Sequence, residues 1–391
     1  MLSRLRVGLV AGEASGDTLG ADLMKAIRAL APEVVFFGVA GPKMLALGFE
    51  LWEPAESLAV MDLWDVARNL PRLLRLRANI RGKFLAARPD IFVGIDAPDF
   101  NLGLARQLHM AGIPTVQYVS PQVWAWRQGR ARTLHKAVDL VLCLLPFEKR
   151  FYDGQGIRAE FVGHPLADMI PLTPDRAAAR HLLGYSADVS VVALLPGSRL
   201  GEVNRLAVDF ALTAKWMAWH RAGLEFIAPL ASHATREIFA ATMQREAPGV
   251  SIKFIDGQAQ AALTAADVVL VTSGTASLET ALCKRPMVVI YRIAPLYAWL
   301  LRRLKLVKIK FFAQPNLLAD KHIVSEYFQE SIDPKAIGAE LLKWLDDAAG
   351  RDALELEFMR IHNELKRDAS ASAARAIFSL LSSLHVANRG S

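Results

Sequence analysis

The feature that most constrains this chain is a repeated alternation of short apolar runs with segments of helical spacing. In the first half, strands are expected at residues 5–10, 34–39, 91–95, 115–119, 140–145 and 160–162. Helices such as 19–30 and 102–110 lie between them. The pattern restarts at Ser190, with strands expected at 191–195, 225–228, 251–254, 268–271 and 287–291. Strands that are apolar at every position are buried on both faces, which is the signature of a parallel sheet covered by helices. His164-Pro165, Pro171 and Pro174 punctuate the interval between the two halves as a linker would. After Asp333 the sequence turns helical, over 334–346, 353–366 and 371–385. The pattern predicts an α/β protein with two doubly wound Rossmann-like domains, 1–170 and 171–333, facing a cleft. C-terminal helices follow at 334–391.

Size and composition agree with that architecture. The chain has 391 residues, 53% of them hydrophobic, enough for two or three separate cores. No uncharged apolar run reaches the roughly 18 residues that a membrane-spanning helix needs. Residues 1–10 do not read as a secretory signal, because the apolar stretch is short and runs into a Gly/Asp turn. Cys143 and Cys283 both adjoin apolar runs and are expected to be buried free thiols in a reducing compartment. No cluster of His and Cys has the spacing of a zinc site.

The net charge of +7 is unevenly distributed. Residues 66–89 hold seven bases and no acid, among them Arg68 and Arg72. Residues 280–319 hold eight bases and no acid. The rest of the chain carries 31 bases against 39 acids, so two basic zones sit on an otherwise acidic protein. Large apolar residues accompany both zones: Met61, Leu63 and Trp64 lead into the first, and Trp299, Leu300 and Leu301 lie within the second. Basic charge beside apolar and aromatic residues fits an anionic membrane surface or an anionic lipid. A solvated helix face above core residues would read the same way. No nucleic-acid-binding module is recognisable, and no nucleic-acid partner is expected.

In open parallel sheets, ligands bind beyond the carboxyl ends of the strands. The polar and Gly-rich residues of this chain collect at those ends. The first expected strand runs into Gly12, Glu13, Ser15, Gly16 and Asp17 before a helix, and the 91–95 strand runs into Asp96-Ala97-Pro98-Asp99. Ser120 to Arg127, with Trp124 and Trp126, follow the 115–119 strand. Pro196-Gly197-Ser198-Arg199 and Ser273-Gly274-Thr275 end two strands of the second half. A helix start offers unpaired N–H groups and a positive dipole end, which suit a phosphate. Asp96 stands where a carboxylate could act as a base, and would equally serve as a turn residue. Asp99 reads more simply as an N-cap. Arg199 can grip a diphosphate bidentately.

These strand ends, in order, resemble the motifs of the lipid-A-disaccharide synthase family of glycosyltransferases. The resemblance is carried by Val10-Ala11-Gly12-Glu13-Ala14-Ser15-Gly16-Asp17, Gly38-Val39-Ala40-Gly41-Pro42, Gly94 to Asn101 and Tyr118 to Arg127. It continues through Leu144-Leu145-Pro146-Phe147-Glu148, Val162-Gly163-His164-Pro165, Leu194 to Arg199, Ser273 to Glu279, and Pro315-Asn316-Leu317-Leu318-Ala319. It departs from the usual pattern at Gln314, where a Leu is usual, and at Val324-Ser325-Glu326.

The resemblance implies a GT-B fold and transfer from UDP-2,3-diacylglucosamine to 2,3-diacylglucosamine 1-phosphate, with inversion to a β-1',6 linkage and release of UDP. It implies no cofactor and no metal: helix dipoles and basic side chains take the metal's part. Asp96 is then the candidate base, with His164 as the alternative or as its partner. Gly12, Glu13, Ser15, Gly16, Asp17, Arg199, Ser273, Gly274 and Thr275 are candidate substrate contacts. Glu279 is expected on the ribose hydroxyls, and Asn316 is a substrate-site residue without an assigned role. Met61, Leu63, Trp64, Arg68 and Arg72 are candidates for the acyl chains and the lipid. Acylated substrates place the enzyme on the inner face of the inner membrane as a peripheral protein. Homo-oligomerisation is left open.

Overall fold

The structure is a computed structural model that describes residues 4–58, 63–121, 134–294 and 310–389. The chain divides into two compact units, one formed by 1–168 with 365–391 and the other by 169–364.

In the first unit a seven-stranded sheet has the order β3-β2-β1-β4-β5-β6-β7, and every strand pair is parallel. The strands are β1 (Arg6–Ala11), β2 (Val35–Ala40), β3 (Glu50–Pro54), β4 (Ile91–Ile95), β5 (Thr115–Tyr118), β6 (Leu140–Cys143) and β7 (Ala159–Phe161). The helices are α1 (Ala14–Leu30), α2 (Pro42–Leu45), α3 (Leu63–Ala87), α4 (Pro98–Met110), α5 (Pro146–Asp153) and α6 (Pro165–Met169). Leu9, Val93, Ile95 and Val116 on one sheet face join Leu23, Met24 and Ile27 of α1 in one core. Val10, Phe92 and Val141 on the other face join Ile80 and Phe84 of α3 and Leu104 and Leu108 of α4. An aromatic cluster pins α3 to the sheet, with Phe84 4.9 Å from Trp52 and 5.2 Å from Phe92 between ring centroids.

The second unit repeats the plan with six strands in the order β10-β9-β8-β11-β12-β13, again all parallel. They are β8 (Ser190–Leu195), β9 (Leu224–Leu230), β10 (Ile252–Asp256), β11 (Val268–Thr272), β12 (Met287–Tyr291) and β13 (Ser325–Phe328). Helices α7 (Arg176–Leu183), α8 (Leu200–His220), α9 (His233–Glu246), α10 (Ala259–Ala265), α11 (Thr275–Leu282) and α12 (Gln314–Ala319) accompany them.

The C-terminal helices do not form a unit of their own. Helix α13 (Pro334–Asp346) and nearly all of α14 (Ala348–Leu365) belong to the second unit. Helix α15 (Ala369–Arg389) returns to the first, where Ala373, Ile377 and Leu380 enter the core beside α1. The Asp168 carboxylate fastens this return, accepting the N–H groups of Asp368 and Ala369 at 2.9 and 2.6 Å. Those are orphan donors of the α15 N-terminus.

Two strands, β3 and β13, lie where the apolar pattern predicts none. Each is the last strand of its sheet and partly exposed along its length. An edge strand lacks the two-sided burial that makes its neighbours continuous apolar runs. The two cysteines are buried, and burial pushes both thiols up, Cys283 to about 11. Among the described residues, no helix is long and apolar enough to cross a membrane.

The second unit rests on a carboxylate at the start of β11. Asp267 accepts from Arg180 at 2.7 Å and from the Val191 N–H at 2.8 Å, and it also pairs with Arg176. Arg180 is buried and also donates to the carbonyls of Ala265, Ser186 and Ala187, and Asp267 supplies the carboxylate that offsets its charge. Asp267→Ala should lower the unfolding free energy by about 3–5 kcal/mol, the usual cost of stranding a buried charge. Urea unfolding checks this; a loss under about 1 kcal/mol would mean that water reaches the guanidinium.

Candidate active site

Each sheet has a point where its strand order reverses, and the polar strand ends gather there. In the first unit the reversal lies between β1 and β4, where Ala11 pairs with Ile95. Gly12 and Asp96, the next residues on the two strands, are therefore neighbours. A Cβ on Gly12 would stand 2.9 Å from the Cβ of Ala97, so a side chain at residue 12 would push the two turns apart. Glu13 is the N-cap residue of α1, but its side chain makes no capping bond. Glu13 and Ser15 are exposed and Gly16 is buried. The first-turn amides of α1 have no acceptor within the helix, so this turn offers N–H groups beside Asp96.

Asp17 has a different task. It is buried, and its carboxylate accepts the N–H groups of Gly41 (3.0 Å), Lys43 (2.8 Å) and Met44 (3.1 Å). It thereby caps α2, and its oxygens are spent on structure rather than on a ligand. Asp99 is likewise not an N-cap: that position belongs to Ala97, and Asp99 lies in the first turn of α4.

Asp96, directly after β4, has a left-handed conformation, φ 52°, and Ala97 follows at φ 41°. Two successive non-glycine residues in this region are unusual. The Asp96 N–H donates to the Tyr118 carbonyl at 2.8 Å. Its own carbonyl accepts from the side-chain amides of Asn101 (2.8 Å) and Gln117 (3.0 Å). Both amide side chains are fully buried.

His164 follows β7, three strands along the sheet from β4. The strand ends that carry Asp96 and His164 are thus roughly 14 Å apart at the usual strand spacing. The His164 Nδ1 accepts the Leu166 N–H at 3.2 Å. That hydrogen bond assigns the proton of the neutral ring to Nε2. Burial holds the His164 pKa down at about 4, against the opposing pull of Asp168. At neutral pH the ring is an uncharged donor, with no ready lone pair for a proton.

In the second unit the reversal lies between β8 and β11. Arg199, the N-cap residue of α8, is exposed. The Glu202 carboxylate accepts the N–H groups of Ser198 (3.2 Å) and Arg199 (3.3 Å). Those two amides are therefore already occupied, and the charged group that this turn offers an anion is the Arg199 side chain. The turn after β11 is different. Gly274 has φ 138° and ψ −158°, a region closed to other residues, with open space where a Cβ would be. Thr275 opens α11 and is exposed. Ser273 is tied down, its hydroxyl donating to the Phe312 carbonyl at 2.8 Å. Glu279, further along α11, is half-buried and has its pKa raised by burial alone. Among the described residues its carboxylate has no hydrogen-bonding or ionic partner. A carboxylate left in that condition is a frequent mark of a ligand site.

Asn316 is a structural residue. Fully buried, it donates to the Val324 carbonyl and to Glu326, both at 2.8 Å, and accepts the Ile323 and Val324 N–H groups at 2.8 and 3.0 Å. Glu326 in turn accepts from the Phe312 and Ala313 N–H groups. The pair shapes the 312–316 turn, and the Asn316 amide has no donor left for a substrate.

Several candidates lie outside the described residues: Met61, Trp124, Trp126, Trp299 to Leu301, and the side chains of Leu63, Trp64 and Arg68. Arg72 is exposed on α3, as are Leu70 and Leu74. In the second basic zone Lys284 is buried and Arg292 pairs with Asp209 at 3.0 Å, so neither belongs to an open basic face. Sequence reasoning missed Gln117 and Glu202. Glu202 had a legible signal, a Glu three residues after a turn at a helix start.

Residues 7–377 match the family model of lipid-A-disaccharide synthetase. Lipid-A-disaccharide synthase of Pseudomonas aeruginosa is 50% identical over 381 residues, covering 97% of this chain and 99% of that protein. The enzyme of the same name from Alkalilimnicola ehrlichii is 48% identical, covering 95% and 98%. Among solved structures, the kitacinnamycin glycotransferase has a similar fold at 16% identity (TM-score 0.64, covering 96% of this chain and 99% of that one). A UDP-GlcNAc 2-epimerase from Neisseria meningitidis does so at 12% identity (TM-score 0.61, covering 96% and 99%). The two doubly wound units are those of a GT-B fold, and the chain belongs to the lipid-A-disaccharide synthase family of glycosyltransferases.

Proposed function

We propose that this chain joins UDP-2,3-diacylglucosamine to 2,3-diacylglucosamine 1-phosphate, with Asp96 as general base. The acceptor 6-hydroxyl oxygen attacks C1 of the donor sugar and passes its proton to the Asp96 carboxylate. The bond from C1 to the diphosphate oxygen breaks, and UDP leaves with the electron pair. Attack opposite the leaving group converts an α-linked donor into a β-linked product. A nucleotide diphosphate is already a good leaving group, so no covalent intermediate is required. The observation that carries this reading is Asp96 itself, a carboxylate held in a left-handed turn at the reversal point of the first sheet, beside Gly12. The Nε2–H of neutral His164 suits it to donate to a substrate oxygen, which supports Asp96 rather than His164 as the base.

On the donor side, the Arg199 guanidinium offsets charge on the departing diphosphate, and the start of α11 at Gly274 and Thr275 holds phosphate oxygens. Glu279 accepts from the ribose hydroxyls. Helix α3 then carries the membrane contact, through its exposed residues Leu70, Arg72, Leu74 and Arg75. The anionic surface in question is the cytoplasmic face of the inner membrane.

UDP release measured with and without the acylated acceptor tests the reaction. Asp96→Asn should lower turnover by about 10²–10⁴, as loss of a general base does, while UDP affinity stays at the wild-type value. Wild-type turnover in that variant removes Asp96 from the mechanism.

Glu279→Gln should separate binding from stability. Burial raises the Glu279 pKa, so the folded protein binds this proton more tightly than the unfolded chain does. The ionised carboxylate therefore costs stability. The cost is absent in acid and grows as the pH rises through the folded pKa. Glu279→Gln should unfold at a higher temperature than wild type at pH 8 and at the same temperature well below pH 4. It should also bind UDP more weakly, and unchanged UDP titrations would dissociate Glu279 from the nucleotide.

For α3, replacing Arg72 and Arg75 by Ser should weaken binding to anionic vesicles at low salt, by about 1 kcal/mol per base. Replacing Leu70 and Leu74 by Ser should weaken it at every salt concentration. Unchanged vesicle binding in both variants would leave α3 a solvated helix.

A further inference from the structure

Three residues at the ends of β4 and β5 adopt left-handed backbone without being glycine: Asp96, Ala97 and Val119, the last at φ 74°. A β-branched residue there is a genuine outlier. Such conformations persist only where the surroundings over-determine them, and they cluster at functional sites. Here the surroundings are two side-chain amides. The Asn101 Nδ2 lies 2.8 Å from the Asp96 carbonyl oxygen and 3.3 Å from those of Ile95 and Val10. The Gln117 Nε2 lies 3.0 Å from the Asp96 carbonyl oxygen and 3.3 Å from that of Val119. The two amides together hold the carbonyls of two of the three left-handed residues, and they reach them from different elements, α4 and β5.

Only the donor half of each amide is used. Asn101 Oδ1 and Gln117 Oε1 are buried with no partner among the described residues. A buried polar oxygen without a hydrogen bond is costly, and an apolar side chain of the same size would avoid that cost. The N–H groups are therefore what the site requires. Gly94 makes room for them: a Cβ there would stand 2.8 Å from Asn101 Cβ and 3.2 Å from Gln117 Oε1.

We propose that Asn101 and Gln117 are positioning residues that clamp the Asp96 carbonyl, hold the turn at the end of β4 in its left-handed form, and thereby set where the Asp96 carboxylate stands. The proposal rests on Asp96 being the base. A displaced base still permits substrate to bind but misaligns proton transfer, and misplacement by about 1 Å can cost 10²-fold in rate.

The test is Gln117→Leu, alone and combined with Asp96→Asn, followed by UDP release from the acylated substrates and by UDP titration. Gln117→Leu should lower kcat by about 10- to 100-fold, with KM and UDP affinity within a factor of about two. In the Asp96→Asn background the same change should have no further effect, because residues acting through one group are not additive. A merely structural role would instead multiply the two losses or weaken UDP binding, and either result overturns the clamp. Wild-type kcat in Gln117→Leu while Asp96→Asn is inactive overturns the clamp and spares the base. Wild-type kcat in Asp96→Asn overturns both. If Gln117→Leu fails to fold, Gly94→Ala replaces it. That variant keeps both amides but must displace Asn101, and the same separation of kcat from KM is expected. A wild-type kcat in Gly94→Ala overturns the clamp.

Discussion

Burial of both sheet faces is the constraint on which the rest of this protein depends. A parallel strand covered on two sides can carry almost no polar side chain, because each would need a partner in the core. Val7 to Ala11, Ile91 to Ile95 and Val268 to Val271 are accordingly buried at every residue. Polar chemistry is displaced to the strand ends, and the reversal of strand order decides which ends have room for a ligand. Both units obey the rule, with Gly12 beside Asp96 in one and Arg199 and Ser273–Thr275 flanking the reversal in the other.

The carboxylates of the two units fall into two groups. Asp17, Asp168, Glu202, Asp267 and Glu326 are consumed by backbone N–H groups or by arginines. They stabilise turns and helix starts whose donors would otherwise lie orphaned. Glu279 has no such occupation among the described residues, and its raised pKa records the cost of leaving a half-buried carboxylate without one. That contrast, rather than proximity to a motif, separates the carboxylates that the fold employs from one that it leaves unoccupied. The same contrast moves Asn316 to the structural side, since both its donors and its acceptor are engaged within its own unit.

Charge behaves in the same way. A window of sequence without acids suggests an open basic face, but the chain can spend its bases internally. Lys284 and Arg292 are buried or paired, whereas Arg72 and Arg75 on α3 face solvent. The two zones look alike in sequence because linear spacing does not record which side of an element meets a distant acid such as Asp209.

The sequence by itself determined the layered α/β plan, most of the strands, and the strand ends where polar residues gather. These follow from local periodicity and from turn residues, which act within a few positions of themselves. It also carried the family motifs from Gly12 to Asn316. Only the tertiary structure decided the edge strands β3 and β13, the return of α15 to the first unit, and the employment of Asp17 and Asn316 as structural residues. It alone showed that Asn101 and Gln117 meet on the Asp96 carbonyl. Each of these depends on which groups meet across a distance in the chain, such as Asp17 with the amides of 41–44 or Asp168 with those of 368 and 369. A hydrogen bond is directional and short, so its partner is chosen by the packed geometry and leaves no period in the sequence.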